Sequence, residues 1–242
     1  MNVQLFIPCF VDQLYPKTAF NMIKVLEKAG CHVMYNVNQT CCGQPAFNAG
    51  FWQDARDVCA KFITDFSGKD LVVTPSASCA GFVRNYYQKL FDNSSMHNEV
   101  KDLQKRVYEF SDFLVNVLHV ENVGAEWHAK ATYHDSCAAL RECKIKSEPR
   151  KLLANVKGLE LVEMNEVETC CGFGGTFAVK FEPISIAMAD QKVGHALQTG
   201  ADYIISTDLS CLMHIDGYIR KKELPIQTMH LADVLANFSQ PL

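Results

Sequence analysis

A chain of 242 residues with 48% hydrophobic content can bury one large core or two ordinary ones. A formal net charge of −4, with no basic run longer than Arg220–Lys222, argues against a nucleic-acid partner, and no apolar run reaches the roughly 18 residues of a membrane span. The N-terminus lacks a positive lead and a small-residue cleavage site, so the reading is cytoplasmic, and there 11 cysteines point to metal or redox chemistry rather than structural disulfides.

In chain order, "VQLFIP" (3–8) reads as a strand that runs into Cys9. A helix is expected over 16–30, with Pro16 at its start, Gly30 as its stop, and Ala19, Met22, Ile23 and Leu26 on its apolar face. The loop "QTCCGQPAFNAG" (39–50) carries the adjacent pair Cys41 and Cys42. A second helix over 51–66 places Phe51, Ala55, Val58, Cys59, Phe62, Ile63 and Phe66 on one face. "LVVTPSASC" (71–79) is a β-branched strand ending in a proline stop and Cys79. The segment 92–125 reads as mainly helical and connects the N-terminal and C-terminal halves.

The pattern then repeats. "ATYHDSC" (131–137) delivers Cys137, and "ETCCGFGGTFAVK" (168–180) carries Cys170 and Cys171. A helix from Pro183 to Thr199 closes at Gly200, and "YIISTDLSC" (203–211) delivers Cys211. The spacing Cys-x31-Cys-Cys-Gly-x35-Cys recurs as Cys-x32-Cys-Cys-Gly-x38-Cys, with the four cysteines offset by 128, 129, 129 and 132 residues. Strands alternating with helices predict an α/β fold of two pseudo-symmetric βαβ (Rossmann-like) halves, each with a mostly parallel sheet. The expected divisions are 1–91, a helical connector at 92–125, and 126–242. Parallel sheets bind ligands beyond the carboxyl ends of their strands, so each half should gather four thiols at one sheet edge.

Three chemistries compete for those thiols: a zinc ion, a redox-active vicinal disulfide and an iron–sulfur cluster. Adjacent residues tend to point apart, so two neighbouring thiolates on one zinc strain the peptide, while a cluster several atoms wide does not require it. A vicinal disulfide leaves the strand-end cysteines unexplained. Gly43, Gly172, Gly174 and Gly175 allow close backbone approach and are candidate cofactor-binding positions; the same loops weakly suggest nucleotide binding. His214, in "CLMH", joins the eight cysteines as a candidate ligand, and its first-half counterpart is Phe82 in "CAGF". Plainer readings fit the rest. Cys59 belongs to its helix's apolar stripe, Cys31 packs at a strand start, Cys143 has no counterpart, His134 steadies its loop, and His230 is a cap or polar core contact.

The repeated motif, with "CCGQPAFNAG", "VVTPSASC", "DFLVNVL", "NVKGLEL" and "CCGFGGTFAVK", resembles the CCG cysteine-rich family along nearly the whole chain. That family includes a cysteine-rich component of heterodisulfide reductase, and the two-CCG lactate-utilization branch is the more similar. The resemblance implies an iron–sulfur-linked oxidoreductase subunit with a [4Fe–4S] cluster in each half. It also implies two partners, a ferredoxin-like iron–sulfur protein and a third subunit, for oxidation of L-lactate to pyruvate. The heterodisulfide reductase component ends the motif Cys-x-x-Cys; Phe82 and His214 stand there in this chain, which favours four-thiol clusters. The rival reading is a zinc-stabilised, non-catalytic scaffold that docks redox partners.

Overall fold

Each half of the chain builds one four-stranded, wholly parallel sheet in this computed structural model, which describes residues 1–238. The first sheet contains β1 (Asn2–Leu5), β2 (His32–Tyr35), β3 (Leu71–Thr74) and β4 (Val107–Glu109), in the order β2-β1-β3-β4. The second contains β5 (Glu126–Tyr133), β6 (Lys157–Leu161), β7 (Tyr203–Ser206) and β8 (Gln227–His230), in the matching order β6-β5-β7-β8. In both, the chain leaves the two central strands toward opposite sides, and this opens a crevice at their carboxyl ends.

The helices of the first half are α1 (Cys9–Leu14), α2 (Pro16–Lys28), α3 (Gln44–Ala49), α4 (Trp52–Asp65), α5 (Ala77–Phe91), α6 (His97–Arg106) and α7 (Phe110–Asp112). A π-helical turn, Phe113–Val117, continues α7. The second half opens with another π-helical stretch, Ala138–Cys143, and adds α8 (Ser147–Ala154), α9 (Thr176–Lys180), α10 (Glu182–Gln198), α11 (Leu209–Lys221) and α12 (Leu231–Leu235). Pro16 starts α2, where its missing N–H costs nothing, and Ala19, Met22, Val25 and Leu26 form the buried face. On α4 the buried face is Ala55, Cys59, Phe62 and Ile63. Phe51, expected on that face, is 63% exposed because it precedes the first helical residue and does not share the helix's phase.

The segment expected to be a helical connector contributes a strand. Val107–Glu109 pairs in parallel with β3 and forms the edge of the first sheet. Three residues are too few to show a period-2 pattern beside the strongly helical α6. The first half therefore extends past residue 91 and through β4.

The halves interlock around a pseudo-twofold axis. Ser76 caps α5 and Asp208 caps α11; they occupy equivalent places in the repeat and form an antiparallel bridge to each other. The Asp208 carboxylate also accepts from the Ser78 N–H at 2.8 Å. Asp233 of α12 accepts from Thr18 and Asn21 of α2, at 2.8 Å each. His230 accepts from the Ala232 N–H at 3.1 Å, capping α12, while its other ring nitrogen lies 3.0 Å from the Pro75 carbonyl. Gly81 allows α5 to rest on the Ala138–Cys143 turn: a Cβ there would lie 2.7 Å from the Glu142 Cβ. One apolar core accordingly runs through both halves, from Val3, Leu5, Met22 and Leu26 to Ala131, Tyr133, Ile205 and Leu231.

Candidate metal centres

The crevice of each sheet receives four cysteines from three directions. Cys9 opens α1 just beyond β1, and Cys79 lies in the first turn of α5 just beyond β3. Cys41 and Cys42 come from the loop between β2 and α3. Cys137, Cys211 and the pair Cys170–Cys171 repeat this placement beyond β5, beyond β7 and before α9. The Ser76–Asp208 bridge joins the N-termini of α5 and α11, so both crevices open toward each other. All eight cysteines line a single cavity of about 560 Å³. Phe10 and Phe173 meet edge to face there, with ring centroids 5.8 Å apart.

In the first half the two adjacent cysteines each contact a different strand-end cysteine. The Cys41 Sγ lies 4.0 Å from Cys9, whereas the Cys42 Sγ lies 3.4 Å from Cys79. The next residue, a glycine, makes this divergence feasible. Gly43 and Gly172 hold φ of 90° and 94°, a left-handed conformation that a side chain disfavours. Each also lies flat on the next long helix. A Cβ on Gly43 would be 2.8 Å from the Cys59 Sγ, and one on Gly172 would be 2.6 Å from the Ser185 carbonyl and 2.9 Å from the Met188 Cβ. Their N–H groups point back at sulfur, Gly43 at 3.4 Å from Cys41 and Gly172 at 3.5 Å from Cys170. Gly174 and Gly175 line the shared cavity.

The thiols cannot all carry charge side by side. Hydrogen bonds from Cys42 and then Cys9 pull the Cys41 thiol down to about 3, and the Cys9 and Cys42 protons are held correspondingly tightly. The second half behaves alike: bonds from Cys137 and then Cys171 pull Cys170 down to about 2, while Cys137 and Cys171 rise. Within each set one thiol, Cys41 or Cys170, thus ionises most readily. A metal centre must displace those protons and supply the positive charge that lets the remaining sulfurs ionise. Four convergent thiols in each half, with N–H groups directed at sulfur, fit a cysteine-held metal or cluster.

His214 packs against Ser185 of α10 and beside Gly172 of the second Cys-Cys-Gly loop. Its Nε2 lies 3.2 Å from the Ser185 hydroxyl and 3.4 Å from the Ser185 carbonyl, and the side chain lines a neighbouring cavity of about 690 Å³. Cys59 donates to the Cys42 carbonyl at 3.4 Å beside the Tyr87 hydroxyl at 2.7 Å, and burial pushes its thiol up to about 12. Cys143 donates to the Ala77 carbonyl, and Cys31 packs in the core.

Two buried polar residues of the second half carry more than their sequence context suggests. His134 is fully buried, and burial pushes its imidazole down to about 3, so it is neutral. A ring nitrogen of His134 and the Sγ atoms of Cys171 and Cys211 all lie within 4.8 Å of one another. Lys192 is also fully buried and donates to the Glu166 and Val167 carbonyls at 2.7 and 3.0 Å, stapling the loop that leads into Cys170. Comparison of the two repeats could have exposed both. "YHDSC" is polar where "FIPC" is apolar, and Lys192 lies 21 residues beyond Cys171, as Ile63 does beyond Cys42.

Fold and site together define a duplicated cysteine-rich protein whose two halves present paired thiol sets to a common cavity. The cysteine-rich domain CCG matches residues 3–84 and again 131–216. The chain is 44% identical over 235 residues to lactate utilization protein A of Geobacillus kaustophilus, covering 97% of this chain and 98% of that one. It is 46% identical to the protein of the same name from Halalkalibacterium halodurans, over 97% and 96% of the two chains. For that of Bacillus subtilis the identity is 42%, over 97% and 99%. The chain belongs to the lactate utilization protein A family. Among solved structures, a hypothetical protein from Helicobacter pylori matches with a TM-score of 0.63 at 12% identity, over 100% of this chain and 49% of that one, a likeness of fold alone. Among the described residues, no helix is long and apolar enough to cross a membrane.

Proposed function

We propose that this chain is a cytoplasmic, iron–sulfur-linked electron-transfer subunit of a multi-protein system that oxidises L-lactate to pyruvate. The observation that carries the reading is the convergence of eight thiols, four from each half, on one cavity. Cys9, Cys41, Cys42 and Cys79 would hold one cluster, and Cys137, Cys170, Cys171 and Cys211 the other, each taken as [4Fe–4S] from its four-thiol ligand set. Bound clusters would supply one-electron redox capacity. The chain's own part is to gather four thiols in each half, to direct the Gly43 and Gly172 N–H groups at sulfur, and to screen the site with Phe10 and Phe173.

The sequence carries neither a flavin fingerprint nor a Cys-x2-Cys-x2-Cys run, so electrons would enter and leave through partners. Those partners are a ferredoxin-like iron–sulfur protein and a third subunit. The relatives' shared name supports lactate as the pathway substrate. Deleting the gene should abolish growth on L-lactate and leave growth on pyruvate intact. Normal growth on lactate, in a strain with no other lactate oxidase, would overturn the assignment.

A zinc-held scaffold that only docks redox partners is the second reading. Sulfur separations of 3.4 and 4.0 Å bracket the roughly 3.8 Å edge of a tetrahedron with 2.3 Å zinc–sulfur bonds. The contacts of Cys41 with Cys9 and of Cys42 with Cys79 favour the cluster, where neighbouring sulfurs reach separate irons.

A further inference from the structure

We infer that His134 is a ligand of the second-half centre, through a ring nitrogen, and that the first half has no equivalent. The inference rests on the reading that each half holds a metal centre. His134 directly succeeds β5 and is three residues before Cys137. Its backbone is pinned between the central strands: the N–H donates to the Ile205 carbonyl at 2.8 Å, and the carbonyl accepts from the Ser206 hydroxyl at 2.9 Å. The ring therefore sits where the sheet puts it. Yet neither Nδ1 nor Nε2 has a hydrogen-bond partner, in a side chain with no exposure. Buried polar groups are ordinarily paired, and an orphaned imidazole needs an explanation.

The surroundings supply one. The nearest cation, Lys192, is committed to two backbone carbonyls and has no lone pair for the ring. What the imidazole does face is sulfur: its nitrogen, the Cys171 Sγ and the Cys211 Sγ form a trio within 4.8 Å. An imidazole nitrogen and two cysteine sulfurs converging at that range form a metal-binding donor set. The second half thus offers five donors where the first offers four, so a four-iron cluster there would draw its terminal ligands from His134 and the four cysteines.

The repeat serves as an internal control. Phe6 stands three residues before Cys9, in the place His134 takes before Cys137. Phe6 packs edge-on against Phe62 and Phe66, at 4.7 and 5.7 Å between centroids, in an apolar cluster that includes Cys42 and Cys79. A phenyl ring satisfies the fold at this position, so the fold alone does not require a histidine.

The test uses anaerobically purified full-length protein labelled with ¹⁵N-histidine. Pulsed electron paramagnetic resonance of the reduced wild type should show a directly bound histidine nitrogen on one of two centres. His134→Phe, which copies the first half, should lose that coupling, shift the midpoint potential of one centre and leave the other in place. His214→Ala should retain the coupling. A wild type with no directly bound histidine nitrogen, including one showing only the weak coupling of an N–H···S contact, overturns the inference whether or not the variant folds. So does a coupling that survives in His134→Phe. Failure of the cluster reading itself would appear separately, as zinc without sulfide in the wild type. Zinc X-ray absorption would then be decisive: a nitrogen ligand present in the wild type and lost in His134→Phe upholds the inference, and an all-sulfur wild type overturns it.

Discussion

Gly172→Ala tests whether the Cys-Cys-Gly loop depends on a missing side chain. Two costs apply at this position. The φ of 94° is left-handed, which costs an L-residue about 1–2 kcal/mol. The new Cβ would also lie 2.6 Å from the Ser185 carbonyl and 2.9 Å from the Met188 Cβ, contacts with helix α10 that cannot swing aside. Overpacking of this kind costs about 1–3 kcal/mol. Gly50→Ala separates the two costs, because Gly50 has φ 89° and nothing within 4 Å of its added Cβ. Gly50→Ala should lose only the conformational part, and Gly172→Ala that part plus the clash. Thermal unfolding under anaerobic conditions reads the difference. For a chain of this size, 1–3 kcal/mol is a further fall in Tm of roughly 2–12 °C. Metal content should also fall in Gly172→Ala, because relief of the clash moves the Cys171 sulfur. Equal Tm values in the two variants would refute the packing argument.

Cys59→Ala should keep full metal content and lose about 1 kcal/mol through a small cavity, since Cys59 is a buried donor to the Cys42 carbonyl and not a ligand. It also removes the sulfur that an added Cβ on Gly43 would strike at 2.8 Å, so Gly43→Ala combined with Cys59→Ala should cost less than the sum of the two in a denaturant series. Glu109 supplies a pH dependence. It is fully buried, caps α7 by accepting from Ser111 and Asp112, and burial lifts its carboxyl to about 8 from 4.5. The folded state therefore binds this proton more tightly than the unfolded state. The contribution is complete below about pH 4.5 and is lost as pH rises toward 8, at up to about 1.4 kcal/mol per pH unit. Glu109→Gln keeps an acceptor and cannot ionise, so it should gain on wild type in Tm between pH 5 and pH 8; parallel profiles would contradict the assignment.

The repeat made much of this architecture legible. Cysteines at strand ends, glycines after cysteine pairs and apolar helix faces are local signals, and the duplication checks each against its counterpart. β4 was not legible because a three-residue strand carries no period of its own; it pairs because β3 offers an open edge. The Ser76–Asp208 bridge was hidden because it joins residues 132 apart, and neither alone looks different from an ordinary helix cap. The Cys-x-x-His spacing marks His214 without showing its Ser185 contact. The second turn of α11 brings it to Ser185 on α10, beside Gly172 of the Cys-Cys-Gly loop. Comparison of the repeats singles out His134 against Phe6, but its burial without a hydrogen-bond partner, within 4.8 Å of two sulfurs, is visible only in the packed structure.

The most direct measurement counts iron, acid-labile sulfide and zinc in protein purified without oxygen. Two four-thiol centres predict about eight iron and eight sulfide per chain, a brown protein, and little zinc. Variants that remove Cys42 or Cys171 should each lose about half of that iron. A colourless wild type holding stoichiometric zinc, with neither iron nor sulfide, would contradict the account.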